Sequence, residues 1–291
     1  MAAARWGTAK AGEMISARPD GEPKISIVIV PRDRFSIAPR ALRSLLANTA
    51  PAYRLIYVDA GSPPEIRDEL AAMARRHDFT LIRRDDFGCP NRSRNIGLGE
   101  ATGELVVVAE NDVLFTPGWL EPLLDCARQT GADVVSPVIL MGEPRNQEIH
   151  FVGGELLEQD GPAGTRLRDI YWHVGRHVGE VQAQLQRRPS AFSELHCTLI
   201  RRDLLARIGP FDETLQSCQE HIDFGLAVRR AGGTIYSEPA SQVAFYDGGL
   251  FTLADVACHG LRWGTDRVDR SAEYFARKWR VDPRCIFFET F

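Results

Sequence analysis

Lys24-Ile25-Ser26-Ile27-Val28-Ile29-Val30-Pro31 is an almost unbroken β-branched run closed by a proline. Its apolar character does not alternate with a polar face, so it reads as a strand covered on both sides, the habit of a central strand in a parallel sheet. Outward from it, Pro39 opens a segment with Ala41, Leu42, Leu45 and Leu46 at helical spacing. Leu55-Ile56-Tyr57-Val58 is a second strand, ending at Asp59-Ala60-Gly61-Ser62. Ile66, Leu70, Met73 and His77 mark a second helix, and a third short strand lies around residues 80–83. The order β-α-β-α-β predicts an α/β fold: a mainly parallel sheet with right-handed crossovers and helices on both faces.

The pattern continues with a helix over residues 91–102, a strand over 104–109, a helix from Pro117 carrying Leu120, Leu123, Leu124 and Ala127, and a strand over 132–136. Residues 141–190 lose the periodicity, with Tyr171-Trp172-His173 as an aromatic island, and read as one long irregular segment. A strand over 197–201, a helix ending at Gly209, a helix over 220–231 stopped by Gly232-Gly233, and a strand over 234–236 follow. Beyond residue 251, Tyr274, Phe275 and Trp279 mark a C-terminal helical extension to residue 291.

Across 291 residues, 35 basic side chains stand against 39 acidic ones. The resulting charge of −4 argues against a nucleic-acid partner held through its phosphates. With 44% hydrophobic and 25% charged residues the chain has the makings of a globular core. No apolar run approaches the roughly 20 residues of a membrane span. Residues 1–22 lack an apolar signal core and read as a flexible tail, so the expected compartment is cytoplasmic, with room for peripheral contact with a membrane. Six scattered cysteines without a Cys-x-x-Cys pair read as reduced thiols.

Ligands of an open parallel sheet bind beyond the carboxyl ends of its strands. Pro31-Arg32-Asp33, Asp59-Ala60-Gly61-Ser62 and Glu110-Asn111-Asp112 all fall at such ends. Carboxylates gathered there suit a cation or a hydroxyl-rich ligand, although Asp59 alone suits a turn equally well. No Gly-x-x-x-x-Gly-Lys-Ser/Thr loop and no Gly-x-Gly-x-x-Gly follows a strand, so a diphosphate would have to be met by a metal and by side chains such as Arg92 or Arg94. The adjacent pairs His196-Cys197 and Cys258-His259 point different ways in regular structure, which argues against a zinc site or a Cys/His nucleophile.

Together, Ile27-Val28-Ile29-Val30-Pro31, Val58-Asp59-Ala60-Gly61-Ser62, Arg94-Asn95-Ile96-Gly97, Val108-Ala109-Glu110-Asn111-Asp112-Val113, Gly209-Pro210-Phe211-Asp212-Glu213 and Glu220-His221-Ile222-Asp223-Phe224 resemble a family 2 glycosyltransferase of the GT-A fold. The resemblance implies a GT-A domain over residues 23–250, with a donor half at 23–140 and an acceptor half at 141–250. It implies inverting transfer from a nucleotide-diphosphate sugar, with a UDP-sugar the leading choice, to a hydroxyl acceptor. Pro31, Asp59, Arg94, Asn95, Glu110 and Asn111 fall where the donor is held, and Asp112 where Mg²⁺ or Mn²⁺ is ligated. Residues 141–190 would then wall the acceptor or form a lid.

Two departures accompany the resemblance. The family's Glu-Asp pair, whose Asp is the general base, is Glu220-His221 in this chain. A helix N-terminus disfavours a cation, so His221 is expected neutral and competent as a base, with Glu220 the competing candidate and Asp223 one turn along. The family's metal-binding His is missing from residues 243–249, which leaves Asp247, His259 or Asp112 with water alone. The alternatives are a degenerate GT-A domain that binds a nucleotide or glycan without turnover, or a nucleotidyltransferase, for which Pro31-Arg32-Asp33-Arg34-Phe35 is a poor match.

Overall fold

The computed structural model describes residues 24–161, 164–249 and 251–282. The tail read over residues 1–22, and Cys285, lie outside them. The first half runs β1 (Ile25–Val30), α1 (Ala38–Asn48), β2 (Arg54–Ala60), α2 (Pro64–His77), β3 (Thr80–Arg84), α3 (Pro90–Glu100) and β4 (Leu105–Glu110). Then come β5 (Val113–Phe115), α4 (Leu120–Thr130), β6 (Val134–Met141), β7 (Ile149–Phe151), β8 (Gly154–Gly161), β9 (Gly164–Tyr171), α5 (Val178–Val181) and β10 (Arg188–Pro189). The chain closes with β11 (Cys197–Arg201), α6 (Arg202–Ile208), α7 (Glu220–Arg230), β12 (Ile235–Phe245), α8 (Leu253–Arg262) and α9 (Thr265–Trp279).

Ten strands form one sheet, with β10-β12-β6-β11-β4-β1-β2-β3 as its main path. Strands β4, β1, β2 and β3 are parallel, β11 is antiparallel to both β4 and β6, and β12 is parallel to β6. Both faces of the central strands are apolar. Ile25, Ile27 and Ile29 of β1 and Leu55 and Tyr57 of β2 join a core with α1, α2 and α4. Val28, Val30, Ile56 and Val58 point the other way, toward α3, α6 and α7. Each such burial contributes about 1.5–3 kcal/mol, which is why these strands hold the centre. Gly97 lets α3 approach the sheet: a Cβ there would run into Val28 Cγ1 and sit 3.3 Å from Val58 Cγ2.

Residues 141–190 are not irregular. They hold β7, the β8–β9 hairpin, α5 and β10. The hairpin's polar outer face hides its alternation; Leu156, Leu167 and Tyr171 turn inward against the main core, while Glu155, Arg166 and Arg168 are exposed. The strand read over 234–236 runs on to Phe245, because its register shifts between Glu238 and Gln242 and the break masks the second half. The helix expected from Pro117 begins at Leu120, after a turn in which Gly118 has φ +71°. Cys89, Cys126, Cys197, Cys218 and Cys258 are free and buried. No helix among the described residues is long and apolar enough to cross a membrane.

Candidate functional site

The carboxyl ends of β1, β2 and β4 open on one edge of the sheet. Because β11 is antiparallel to β4 and Cys197 pairs with Ala109, the residues preceding β11 reach that same edge. The Glu110 amide donates to the His196 carbonyl at 3.0 Å, and His196 Nδ1 lies 2.7 Å from Glu110 Oε2. Glu110, Asp112 and His196 form a group in which one ligand atom from each lies within 4.8 Å of the others. Cys197, the next residue, turns into the core. Sequence reasoning set His196 aside because it looked only at its neighbour; the pairing of β11 with β4 is what supplies the partner.

The three side chains are not equivalent. Glu110 accepts from Arg94 Nη2 at 2.5 Å and from Arg32 Nη1 at 2.8 Å. Burial alone would raise its carboxyl, but Arg32, His196 and Arg94 hold it well below the usual carboxylate range. Asp112 is fully buried, and both its oxygens are without a hydrogen-bond partner among the described residues. Burial, then the charges of Glu110 and Asp33, hold it well above that range. An unsatisfied buried carboxylate is costly. A hard divalent cation is the ligand that such oxygens suit, so the donor set fits Mg²⁺ or Mn²⁺. Asp247 and His259 do not belong to this group. His259 packs against Phe251 instead, with ring centroids 4.3 Å apart.

The other residues expected on the donor side are tied to protein partners. Asp59 accepts from Ser62 Oγ and Arg83 Nη1, each at 2.7 Å. Arg94 is buried and bonds Asn91 as well as Glu110. The Asn95 amide is spent on both backbone groups of Phe211. Asn111 takes the Arg32 amide on Oδ1 and donates to the Arg34 carbonyl, pinning the loop after β1 to the end of β4. Pro31 is buried at the start of that loop.

At the start of α7 the candidates diverge. Arg262 bridges Asp33 (Nε to Oδ1, 3.0 Å) and Glu220 (Nη1 to Oε1, 3.3 Å), so Glu220 is ion-paired. Asp223 faces α9 and accepts from Trp279 Nε1 at 2.7 Å and Lys278 Nζ at 2.9 Å. His221 Nε2 lies 3.1 Å from the Tyr171 hydroxyl, 3.7 Å from Glu194 and 3.8 Å from Asp169. Tyr171 also donates to Glu194 at 2.5 Å. The neutral imidazole expected from the helix terminus is not what the surroundings favour. Burial acts to lower His221, but Glu194 and Asp169 outweigh it and raise it. The nearby His150 goes the opposite way, pushed down to about 4 by burial and by the His196 charge.

Helix α8 closes over the loop that leaves β1. Asp255 accepts from the amides of Phe35 and Ser36 and from the Ser36 hydroxyl at 2.7–2.9 Å. Cys258 packs with Phe35 and Phe87. Trp263 Nε1 donates to Asp33 at 3.0 Å.

Known proteins share the family sequence pattern and the fold. The glycosyl transferase family 2 model matches residues 26–209. The chain is 29% identical over 189 residues to the succinoglycan biosynthesis protein ExoW of Rhizobium meliloti, covering 64% of this chain and 56% of that protein. It is 26% identical over 223 residues to the O-antigen biosynthesis protein RfbC of Myxococcus xanthus, covering 73% of this chain but 16% of that protein. The chain thus spans from about a sixth to just over half of these relatives. Among solved structures, GalNAc-T7 with UDP, GalNAc and Mn²⁺ superposes with a TM-score of 0.59 at 16% identity, over 89% of this chain and 51% of that one. The mannosyltransferase PcManGT of Pyrobaculum calidifontis, in complex with GDP-Man and Mn²⁺, gives 0.54 at 15% identity, over 92% and 67%. The fold is therefore that of the GT-A enzymes, and the chain belongs to glycosyl transferase family 2.

Proposed function

We propose that this chain transfers a sugar from a nucleotide-diphosphate donor to a hydroxyl acceptor, with inversion at the anomeric carbon. The observation that carries the reading is Asp112: fully buried, unpartnered among the described residues, and set at the carboxyl end of a central strand beside Glu110 and His196. Asp112 would hold Mg²⁺ or Mn²⁺, and the ion when bound supplies charge neutralisation to the departing diphosphate. Pro31, Asp59 and the Asn111-pinned loop edge the donor cleft; Arg94 and Asn95 brace it from behind.

Of the two base candidates, His221 fits better, because Glu220 is neutralised by Arg262. The acceptor oxygen attacks the anomeric carbon and the bond to the diphosphate oxygen breaks, its electron pair leaving with the diphosphate. The acceptor proton passes to the His221 imidazole, which Glu194 and Tyr171 orient. The β8–β9 hairpin, carrying Asp169 and Tyr171, walls this side and excludes water.

Solved neighbours carrying UDP and GDP-Man support a nucleotide-diphosphate donor, and a UDP-sugar is the first to test. The experiment is to incubate UDP- and GDP-sugars with the protein and Mn²⁺ and to measure nucleoside diphosphate release, with Asp112→Asn as control. Release that depends on Asp112 supports transfer. Pyrophosphate as product would make the chain a nucleotidyltransferase. The second reading, a domain that binds the donor without turnover, draws on the Arg262–Glu220 pair and predicts nucleotide binding with no release at all.

A further inference from the structure

The three ligands of the candidate metal group differ in what already occupies them, and Arg32 is the reason. Its backbone is held from two sides: the amide donates to Asn111 Oδ1 at 3.2 Å, and Cys258 Sγ lies 3.2 Å from the carbonyl oxygen. From that anchor Nη1 reaches Glu110 Oε2 at 2.8 Å and stands 2.9 Å from each ring nitrogen of His196. Nε lies 3.4 Å from Asp33 Oδ2. The second Glu110 oxygen is taken by Arg94. Glu110 and His196 are therefore engaged, while both oxygens of Asp112 have no partner among the described residues.

We infer that Arg32 is the resident cation on the Glu110–His196 side of this group, and that it sets how tightly a divalent ion is held at Asp112. The inference rests on the metal-assisted reading above. An ion drawing on Glu110 or His196 must first displace the guanidinium, and wherever it sits near Asp112 it feels the Arg32 charge through a buried, weakly screened medium. A diphosphate reverses the balance. Its negative charge is attracted to ion and guanidinium alike, so the ion binds well only together with the donor. The carboxylates Asp33, Glu110, Glu194 and Glu220 act on Arg32 and hold its charge in place, so Arg32 governs the affinity of the ion before donor arrives.

The test is Mn²⁺ titration followed by the electron paramagnetic resonance of the free ion, with and without UDP. The proteins are wild type, Arg32→Gln, Arg32→Lys, Asp112→Asn and the Arg32→Gln/Asp112→Asn double variant. Arg32→Gln should bind Mn²⁺ alone about tenfold tighter or more, and the gain that UDP adds should shrink. Arg32→Lys keeps the charge and should stay near wild type. A gain in affinity cannot arise from a damaged fold. Mn²⁺ affinity unchanged or weakened in Arg32→Gln, or undetectable in both proteins, overturns the assignment. Asp112→Asn addresses the underlying reading separately. If it retains Mn²⁺ binding in both backgrounds, Asp112 is not the ligand, whatever Arg32→Gln does; if it loses binding while Arg32→Gln is unchanged, only the role of Arg32 falls.

Discussion

His196 Nδ1 lies 2.7 Å from Glu110 Oε2, across the boundary where the sheet changes direction between β4 and β11. The contact joins the last residue of a parallel strand to the residue that precedes an antiparallel one. A polar group reaches the carboxyl edge of such a sheet either from a strand that ends there or from one that begins there, and this site uses both.

Asp112→Asn is expected to lower transfer by about 10²- to 10³-fold, the usual cost of losing preorganised charge stabilisation. Its effect on stability has the opposite sign. A carboxyl held above its unfolded value costs stability once the pH exceeds that unfolded value, and the cost disappears as the pH falls. The neutral amide avoids it, so the variant should melt higher than wild type near pH 7 without metal. Mn²⁺ with UDP should raise the melting temperature of wild type but not of the variant. Thermal unfolding with and without Mn²⁺ and UDP checks both statements.

The pH dependence follows from the proposed base role of His221. A general base must be neutral, and the carboxylates beside His221 keep it protonated to a pH above the ordinary imidazole range. Activity should therefore fall as pH drops through that raised value. Asp169→Asn removes one of the raising charges and should move the acid limb of kcat/KM to lower pH. An unmoved limb would take His221 out of the base role.

Arg262 is almost wholly buried between Asp33 and Glu220. Arg262→Ala takes the ion-pair partner from Glu220 and leaves Asp33 with Arg32 and Trp263, and losing one partner of a buried ion pair costs about 3–5 kcal/mol. Hydrogen exchange should show the loss concentrated in α8 and the loop after β1, with the β1–β2 core still protected. Uniform loss over the sheet would contradict a local closing role for α8.

Gly97→Ala tests the contact between α3 and the sheet. The added methyl meets Val28 and Val58, and such overpacking costs about 1–3 kcal/mol. Urea unfolding reads it directly; a variant as stable as wild type would mean that α3 shifts freely on β1 and β2.

The parallel half of the fold was legible because its signals are local. Six β-branched or small residues from Ile25 to Val30 are all buried, and the helix stripes at Leu42, Leu45, Leu70 and Met73 recur at the expected spacing. The β8–β9 hairpin escaped because one face of it is solvated and its inward residues, Leu156 and Leu167, are widely separated by charge. Asp112, Glu110 and Arg32 were readable as polar residues ending apolar strands. His196 and Glu194, and the partners of Arg32, were not, since they lie far along the chain.

Helix α8 draws the line between the two kinds of information. Leu253, Val256 and Leu261 are exposed, while Asp255 and Arg262 are buried. Periodicity establishes that a helix has two faces; it does not say which one turns inward. For α1 and α4 the hydrophobic effect makes that choice, and the sequence determined the result unaided. For α8 the tertiary structure decided. The amides of Phe35 and Ser36 need an acceptor, and Asp33 and Glu220 need a cation; burying Asp255 and Arg262 satisfies them, at the expense of leaving apolar side chains in water.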